Sequence, residues 1–467
     1  MNFLIPLKFK HLIKESTWVV LGQFVTLVGS LMLVRVITSY LTPNEYGQLA
    51  LSLTAVGLIS QIAMNSASAS ISRYLPVAIA RQDMPHFSTA ANRILFASAV
   101  VSLLIGVTLS FILWFNQQGD WALLCLLGFS FATISLYNFT ANSVQNAARN
   151  RSIVALHTSL ETWLKVLFGA AAIVLLGATA SSALLGYMAA VGLILLSQWF
   201  FLKFAFVNKV PLEQTNKLPL TQSTAQWQHD IWQFAWPFAT WGAFTWAQQV
   251  SDLWSLKAFT STSEVGLYTV IFQLGYAPII LLNSIVQVFL GPILNQQIEQ
   301  NQQSRLSQQN QTAQDKHITR NSNSNQQDKA VLQSNLNKSK SVHRVTWVTT
   351  LLSLVTTTFA FVFILNTHEW LFSFLVAPEF RSASVYLAYM VLAGGLFSAG
   401  QILSLKLVSE FNSKIMLSVK VGTALLGLVL NIYGAWAYGT AGVVGSMIIF
   451  SISYLAWMAW LTWRKPQ

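Results

Sequence analysis

The chain has 467 residues, of which 54% are hydrophobic and only 9% charged, with a formal net charge of +12. An ordinary soluble domain carries about 25% charged residues, so too little charge is present to coat a water-facing globule. That excludes a soluble enzyme, a disordered scaffold and a secreted disulfide module, and leaves an all-α integral membrane protein.

The surplus of Lys and Arg fits the basic cytoplasmic loops that orient membrane proteins, so no nucleic-acid partner is expected. The one cysteine, Cys125, lies in an apolar run, which rules out an intrachain disulfide and a cysteine zinc site. No metal or cofactor is expected.

A span needs about 20 mainly apolar residues, and twelve are predicted. Lys8, Lys10 and Lys14 precede the first, about 16–40. It is too long for a signal-peptide core, and no A-x-A site follows. Next come about 45–72, 89–115, 120–146, 152–177 and 181–206. The second half reads about 231–258, 264–290, 345–366, 384–408, 414–438 and 441–463. The expected domains are a first six-helix bundle (1–206), a polar linker (207–230) and a second bundle (231–467). The second bundle carries a Gln/Asn-rich loop at about 295–343, too polar to fold alone and read as disordered or partly helical.

Loop charges support this layout. One side carries Arg73, Arg81 and Arg93, then Arg149 and Arg151, then Lys203, Lys209 and Lys217, and ends on Arg464 and Lys465. The other carries Glu45, Asp120, Glu264, Glu369 and Glu379 with a single cation, Arg381. Both termini are therefore expected in the cytoplasm. The largest outer loop, about 367–383, is too short for an external catalytic domain.

The chain also repeats itself. Leu41-Thr-Pro-Asn-Glu45-Tyr46-Gly47 after the first span matches Thr260-Ser-Thr-Ser-Glu264-Val265-Gly266 after the seventh, with Glu and Gly in step. Each copy opens the second helix of a six-span half, the arrangement of a parallel transporter repeat about an axis along the membrane normal.

Leu41-Thr-Pro-Asn-Glu45-Tyr46-Gly47-Gln-Leu-Ala, after a first span containing Arg35, resembles the Wzx-type polysaccharide repeat-unit flippases of the MOP superfamily. Ile71-Ser-Arg73-Tyr74-Leu75-Pro76 is similar to the end of that family's second span. Asp252-Leu-Trp-Ser-Leu-Lys257, followed by Glu264-Val-Gly266-Leu-Tyr268, is similar to its seventh-span acid and turn, although Leu253 replaces the usual basic residue. The resemblance implies two six-helix bundles forming a V around a cavity. It implies alternating access moving an undecaprenyl-diphosphate-linked oligosaccharide, an O-antigen or capsule unit, from the cytoplasmic to the periplasmic leaflet of a bacterial inner membrane. Membrane lipids, a polysaccharide polymerase and a chain-length regulator are the partners it implies. The rival readings are a cation-coupled drug exporter or a lipid II flippase, and more remotely a membrane glycan polymerase or acyltransferase.

Charges inside spans cost about 2.5–3.5 kcal/mol each on insertion scales and need a partner or a wet cavity. Arg35, Glu161, Lys165, Asp252, Lys257, Lys406 and Lys420 are such charges, five cations to two acids, a balance suited to an anionic cargo. Arg35 is expected to face diphosphate or an acidic sugar, or to snorkel to headgroups. Asp252 is the candidate ion-coupling site, or else a partner of Lys257 or Arg35. His157, Glu161 and Lys165 share one helix face, either lining the cavity or compensating one another. Lys406 and Lys420 are close enough to the cytoplasmic side to snorkel, and Arg73 is a candidate on resemblance. Among the tryptophans of the seventh span, Trp227 and Trp232 are expected in the interfacial belt, and Trp236, Trp241, Trp246 and Trp254 in packing or on sugar rings. Pro237, Pro278 and Pro292, with Gly275 and Gly291, are expected hinges or kinks. There is no P-loop, H-E-x-x-H or G-x-S-x-G, and no enzymatic activity is expected.

Overall fold

A computed structural model describes residues 7–148, 150–207, 222–287, 324–409 and 413–463, and among these there is no β-strand. The helices are α1 (Leu7–Thr38), α2 (Pro43–Ala80), α3 (Met84–Phe115), α4 (Gly119–Ala147), α5 (Arg151–Leu176) and α6 (Ala180–Val207). They continue as α7 (Thr224–Phe259), α8 (Thr262–Gln287), α9 (Ser324–Leu375), α10 (Leu387–Ser409) and α11 (Ser413–Trp463). Ten helices among the described residues are long and apolar enough to cross a membrane, so the protein is a multi-pass membrane protein.

The ten differ from the twelve spans of the sequence in two places. Helix α7 is not among them, and α11 counts once. Within α11, Gly439 breaks the helix at φ 58 and ψ −136, between the two spans expected there.

Several expected boundaries move. Helix α2 continues eight residues past the expected end at 72, because Leu75 and Ala78 are buried and Ser70 satisfies its hydroxyl on the Ser66 carbonyl. Pro76 rides inside the helix. Helix α7 starts at Thr224, inside the expected linker, on a capping box between Ser223 and Gln226. The expected outer loop at 367–383 is mostly ordered: α9 runs to Leu375 and a 3-10 helix spans Pro378–Tyr386. Residues 324–343 are helical and continuous with the ninth span, while Arg149, Lys209, Lys217, Gly291, Pro292 and residues 295–323 lie outside the described residues.

Packing divides the chain into two compact units. The first comprises residues 1–273, 369–384 and 428–443; the second comprises 274–368, 385–427 and 444–467.

In the first unit, Ile59, Met64, Leu95, Phe129 and Leu136 form one core across α2, α3 and α4. Ile71, Leu75, Phe87, Trp227 and Ile231 form another, which docks the start of α7 on α2 and α3. Asp83, in the turn between α2 and α3, clasps that docking. It accepts from Trp227 Nε1 at 2.7 Å and from the Gln222 backbone at 2.9 Å, and lies 2.6 Å from His86 Nδ1. Trp227 is thus buried at 1% exposure, which overturns its expected place in the interfacial belt. Trp232 is exposed as expected, while Trp236 and Trp254 are exposed rather than packed.

Burial opposes the Asp83 charge, but the Trp227, Gln222 and His86 donors outweigh it and hold the carboxyl below its ordinary range. Asp83→Ala leaves the buried Trp227 N–H unpaired, a loss of about 1–3 kcal/mol, read as a lower unfolding midpoint in detergent. A carboxyl titrating lower when folded contributes fully above its unfolded value, about pH 4, and loses that contribution as pH falls through the folded value. The gap between wild type and variant should therefore be full at neutral pH and shrink under acid; a gap that widens on acidification contradicts the assignment.

In the second unit, Phe397 stacks between Tyr276, Phe450 and Tyr454, with ring centroids 4.9 to 6.2 Å away. Leu403, Leu407, Tyr454 and Met458 extend that core along α10 and α11.

Candidate functional site

The repeated turn is built the same way twice. Thr42 caps α2 by accepting from the Glu45 N–H, and Ser261 caps α8 by accepting from the Glu264 N–H. A Glu three residues after such a cap usually folds back on its own helix end. Here both carboxylates reach another helix. Glu45 Oε2 accepts from the Ala180 N–H at 2.6 Å, at the start of α6, and Glu264 Oε2 accepts from the Thr440 hydroxyl, just past the Gly439 break. An anion at a helix N-terminus is favourable by about 0.3–1 kcal/mol, which accounts for Glu45; Glu264 ties the same kind of junction through a hydroxyl.

The repeated glycines explain the rest. A Cβ on Gly47 would lie 2.0 Å from the Thr262 carbonyl oxygen, and one on Gly266 would lie 1.9 Å from the Pro43 carbonyl oxygen. No L side chain fits either place, so the two copies of the motif cross α2 and α8 backbone to backbone. Tyr46 closes the crossing, donating to Gln273 Oε1 at 2.6 Å with its ring edge-on to Phe380 at 5.7 Å.

Beyond the crossing, α7 lies along α2. A Cβ on Gly242 would meet the Gln61 carbonyl oxygen at 2.0 Å, and Trp246 Nε1 donates to the Thr54 carbonyl at 2.9 Å. Gln61 Nε2 donates to Gln249 Oε1 at 3.1 Å, and Asn65 Nδ2 to Gln61 Oε1 at 2.8 Å. Gln61 belongs to a π-helical turn, Ser60–Met64, a distortion frequent at functional sites.

Among the described residues, the charged candidates Arg35, Arg73, Asp252 and Lys257 do not pair with one another. Arg35, half-buried in the last turn of α1, has no ion-pair or hydrogen-bond partner for its guanidinium among the described residues. Asp252 is buried and does not pair with Lys257. Its carboxylate accepts from the Tyr268 hydroxyl at 2.6 Å, and its neighbour Ser251 accepts from Asn431 Nδ2 at 2.8 Å. Lys257 turns instead to the Thr262 hydroxyl and the face of Trp121, 5.0 Å from the ring centroid. Arg73 is exposed, with its guanidinium 4.5 Å from the Phe234 ring centroid on α7.

The α5 stripe divides. Glu161 and Lys165 pair at 2.6 Å, each side chain about one-fifth exposed (22% and 21%). His157 is buried between α5 and α6, with its ring nitrogens 2.9 Å from the Ile153 carbonyl and 3.1 Å from the Ser197 hydroxyl. It is satisfied as a packing residue. The side chains of Lys406 and Lys420 lie outside the described residues. A hollow of about 530 Å3 lined by Leu75, Phe87, Leu95, Val144 and Trp199 is almost wholly apolar and holds none of these charges.

Sequence reasoning marked Glu45, Gly47, Glu264 and Gly266 as a repeat but assigned them no work. It named Tyr268 only as part of the family turn, and it missed Asn431, Gln61, Asn65 and Gln249, which are polar residues within apolar spans and carry that much signal.

Solved structures resemble this fold along nearly its whole length. A multidrug-resistance MATE transporter of the MOP superfamily, inward-facing, matches with a TM-score of 0.61 at 14% identity, over 93% of this chain and 94% of that one. The lipid II flippase MurJ in an inward closed conformation gives 0.60 at 12%, over 97% and 88%. A Vibrio cholerae MATE transporter gives 0.53 at 11%, over 97% and 96%. At these identities the likeness is one of fold: the protein has the architecture of MOP-superfamily transporters. No curated protein matches it. Residues 12–296, more than half the chain, match the model of the polysaccharide biosynthesis protein family, and the chain belongs to that family.

Proposed function

We propose that the protein moves an undecaprenyl-diphosphate-linked oligosaccharide, an O-antigen or capsule repeat unit, from the cytoplasmic to the periplasmic leaflet of a bacterial inner membrane. The observation that carries the reading is membership of a polysaccharide biosynthesis family by a chain with a translocator's fold. A glycan cannot cross hydrocarbon unaided, because each unpaired polar group costs several kcal/mol there. In this reading the chain has twelve spans, counting α7 and both arms of α11, with both termini cytoplasmic. Alternating access opens and closes the Gly47–Gly266 crossing at its outer end.

Arg35, whose guanidinium has no partner among the described residues, meets the diphosphate or an acidic sugar; Arg73, Lys257, Lys406 and Lys420 add positive charge along the path. Glu161, Lys165 and His157 support it, the first two as a self-compensated pair. Asp252 is the ion-coupling carboxylate, held by Tyr268. Asp252→Asn keeps the shape but removes the charge and one of the two oxygens that accept from Leu253 N–H and the Tyr268 hydroxyl. We expect transport by this variant to lose its response to an imposed ion or proton gradient while downhill exchange persists; an undiminished response removes Asp252 from coupling. The proposal itself is tested in proteoliposomes loaded with a fluorescent polyprenyl-diphosphate oligosaccharide. Protein-containing vesicles should expose label to an external quencher faster than empty ones, and equal rates refute the reading.

A further inference from the structure

Three amides within two of the expected spans have no assigned role. Asn65 and Gln61 lie in α2, within the stretch 45–72, and Gln249 lies in α7, within 231–258. They form a ladder, Asn65 to Gln61 to Gln249, with Asn65 and Gln249 exposed at its two ends. Each side-chain amide offers two N–H donors and an oxygen with two lone pairs. The ladder uses only part of that capacity, leaving Gln249 Nε2 and Asn65 Oδ1 without a partner among the described residues.

Exposed amides at this depth are unfavourable against lipid and indicate a wet path. Their position is deliberate in the packing. Gly242 seats α7 on the Gln61 backbone, Trp246 pins it to Thr54, and the π turn sets Gln61 and Asn65 on one edge. Thr245 and Trp241, one and two turns before Gln249 on the same face of α7, are half-buried. A neutral row of free donors and acceptors beside an aromatic face matches sugar hydroxyl and N-acyl groups. It carries no formal charge with which to hold a cation or a phosphate.

We propose that the Asn65–Gln61–Gln249 ladder is the contact site for the sugar, not the diphosphate, of the carried lipid. This rests on the flippase reading and deepens it. The test is equilibrium binding of purified protein to two probes, polyprenyl diphosphate bearing N-acetylglucosamine and the same lipid without sugar. Wild type should prefer the sugar-bearing probe. Gln249→Leu and Asn65→Leu should each weaken it at least about tenfold, or 1.4 kcal/mol, and leave the sugar-free probe unchanged. Gln249→Asn, which keeps the amide and guards against a folding artefact, should fall between. Equal losses for both probes, or no loss, overturn the ladder as a sugar site. A wild type that binds neither probe instead overturns the flippase reading, so the two failures are distinguishable.

Discussion

Gly266→Leu should abolish transport while the protein still reaches the membrane, and Gly47→Leu should do the same. A Cβ at either position would fall within 2.0 Å of a backbone carbonyl oxygen on the facing helix. Backbone cannot swing aside like a side chain, so α2 and α8 must separate. Overpacking commonly costs about 1–3 kcal/mol, and a backbone clash lies at the upper end or above, biasing the crossing toward open by roughly a hundredfold. A cycle needs both states, so a protein held in one is inactive. Gly192→Ala is the control, since nothing lies within 4 Å of a Cβ there. Surface polysaccharide and membrane abundance, measured together, check this. Wild-type surface polysaccharide in Gly266→Leu means the crossing does not take part in transport.

Arg35→Ala should reduce transport about ten- to a hundredfold, the equivalent of the 1.5–3 kcal/mol typical of a hydrogen bond to a charged group. The guanidinium has no partner to lose among the described residues, so the loss reports on cargo. Arg35→Lys should keep part of the activity, because an ammonium retains the charge but not the two-pronged geometry that fits a phosphate. A cation in the last turn also suits the α1 dipole. If that were its whole function, Arg35→Ala would lower the unfolding midpoint, Arg35→Lys would not, and both would leave transport intact.

Most spans were legible because an apolar run of helical length has few alternatives in a membrane protein. The errors fell where burial within the protein replaced lipid contact. The segment about 367–383 looked like a loop because Glu369, Pro378, Glu379 and Arg381 are polar or break helices. Phe372, Val376 and Phe380 are nonetheless fully buried, and Tyr46 packs on Phe380. Trp227 looked like an interfacial anchor, but its partner Asp83 is 144 residues away, beyond any local pattern. A local pair of Asp252 and Lys257 was one of the readings left open, yet Tyr268 and Thr262 on the next helix were better placed. The E-x-G repeat was plain in the sequence. Its purpose was not, because only the fold brings the two copies face to face.

The central claim is translocation of a lipid-linked glycan, and its most direct test is in spheroplasts lacking this protein. Radiolabelled lipid-linked oligosaccharide is followed with an impermeant glycosidase at the outer leaflet. Label should accumulate in an inaccessible pool and become accessible on re-expression of wild type but not of Gly266→Leu. Unchanged accessibility without the protein, in cells with no second flippase, contradicts the claim.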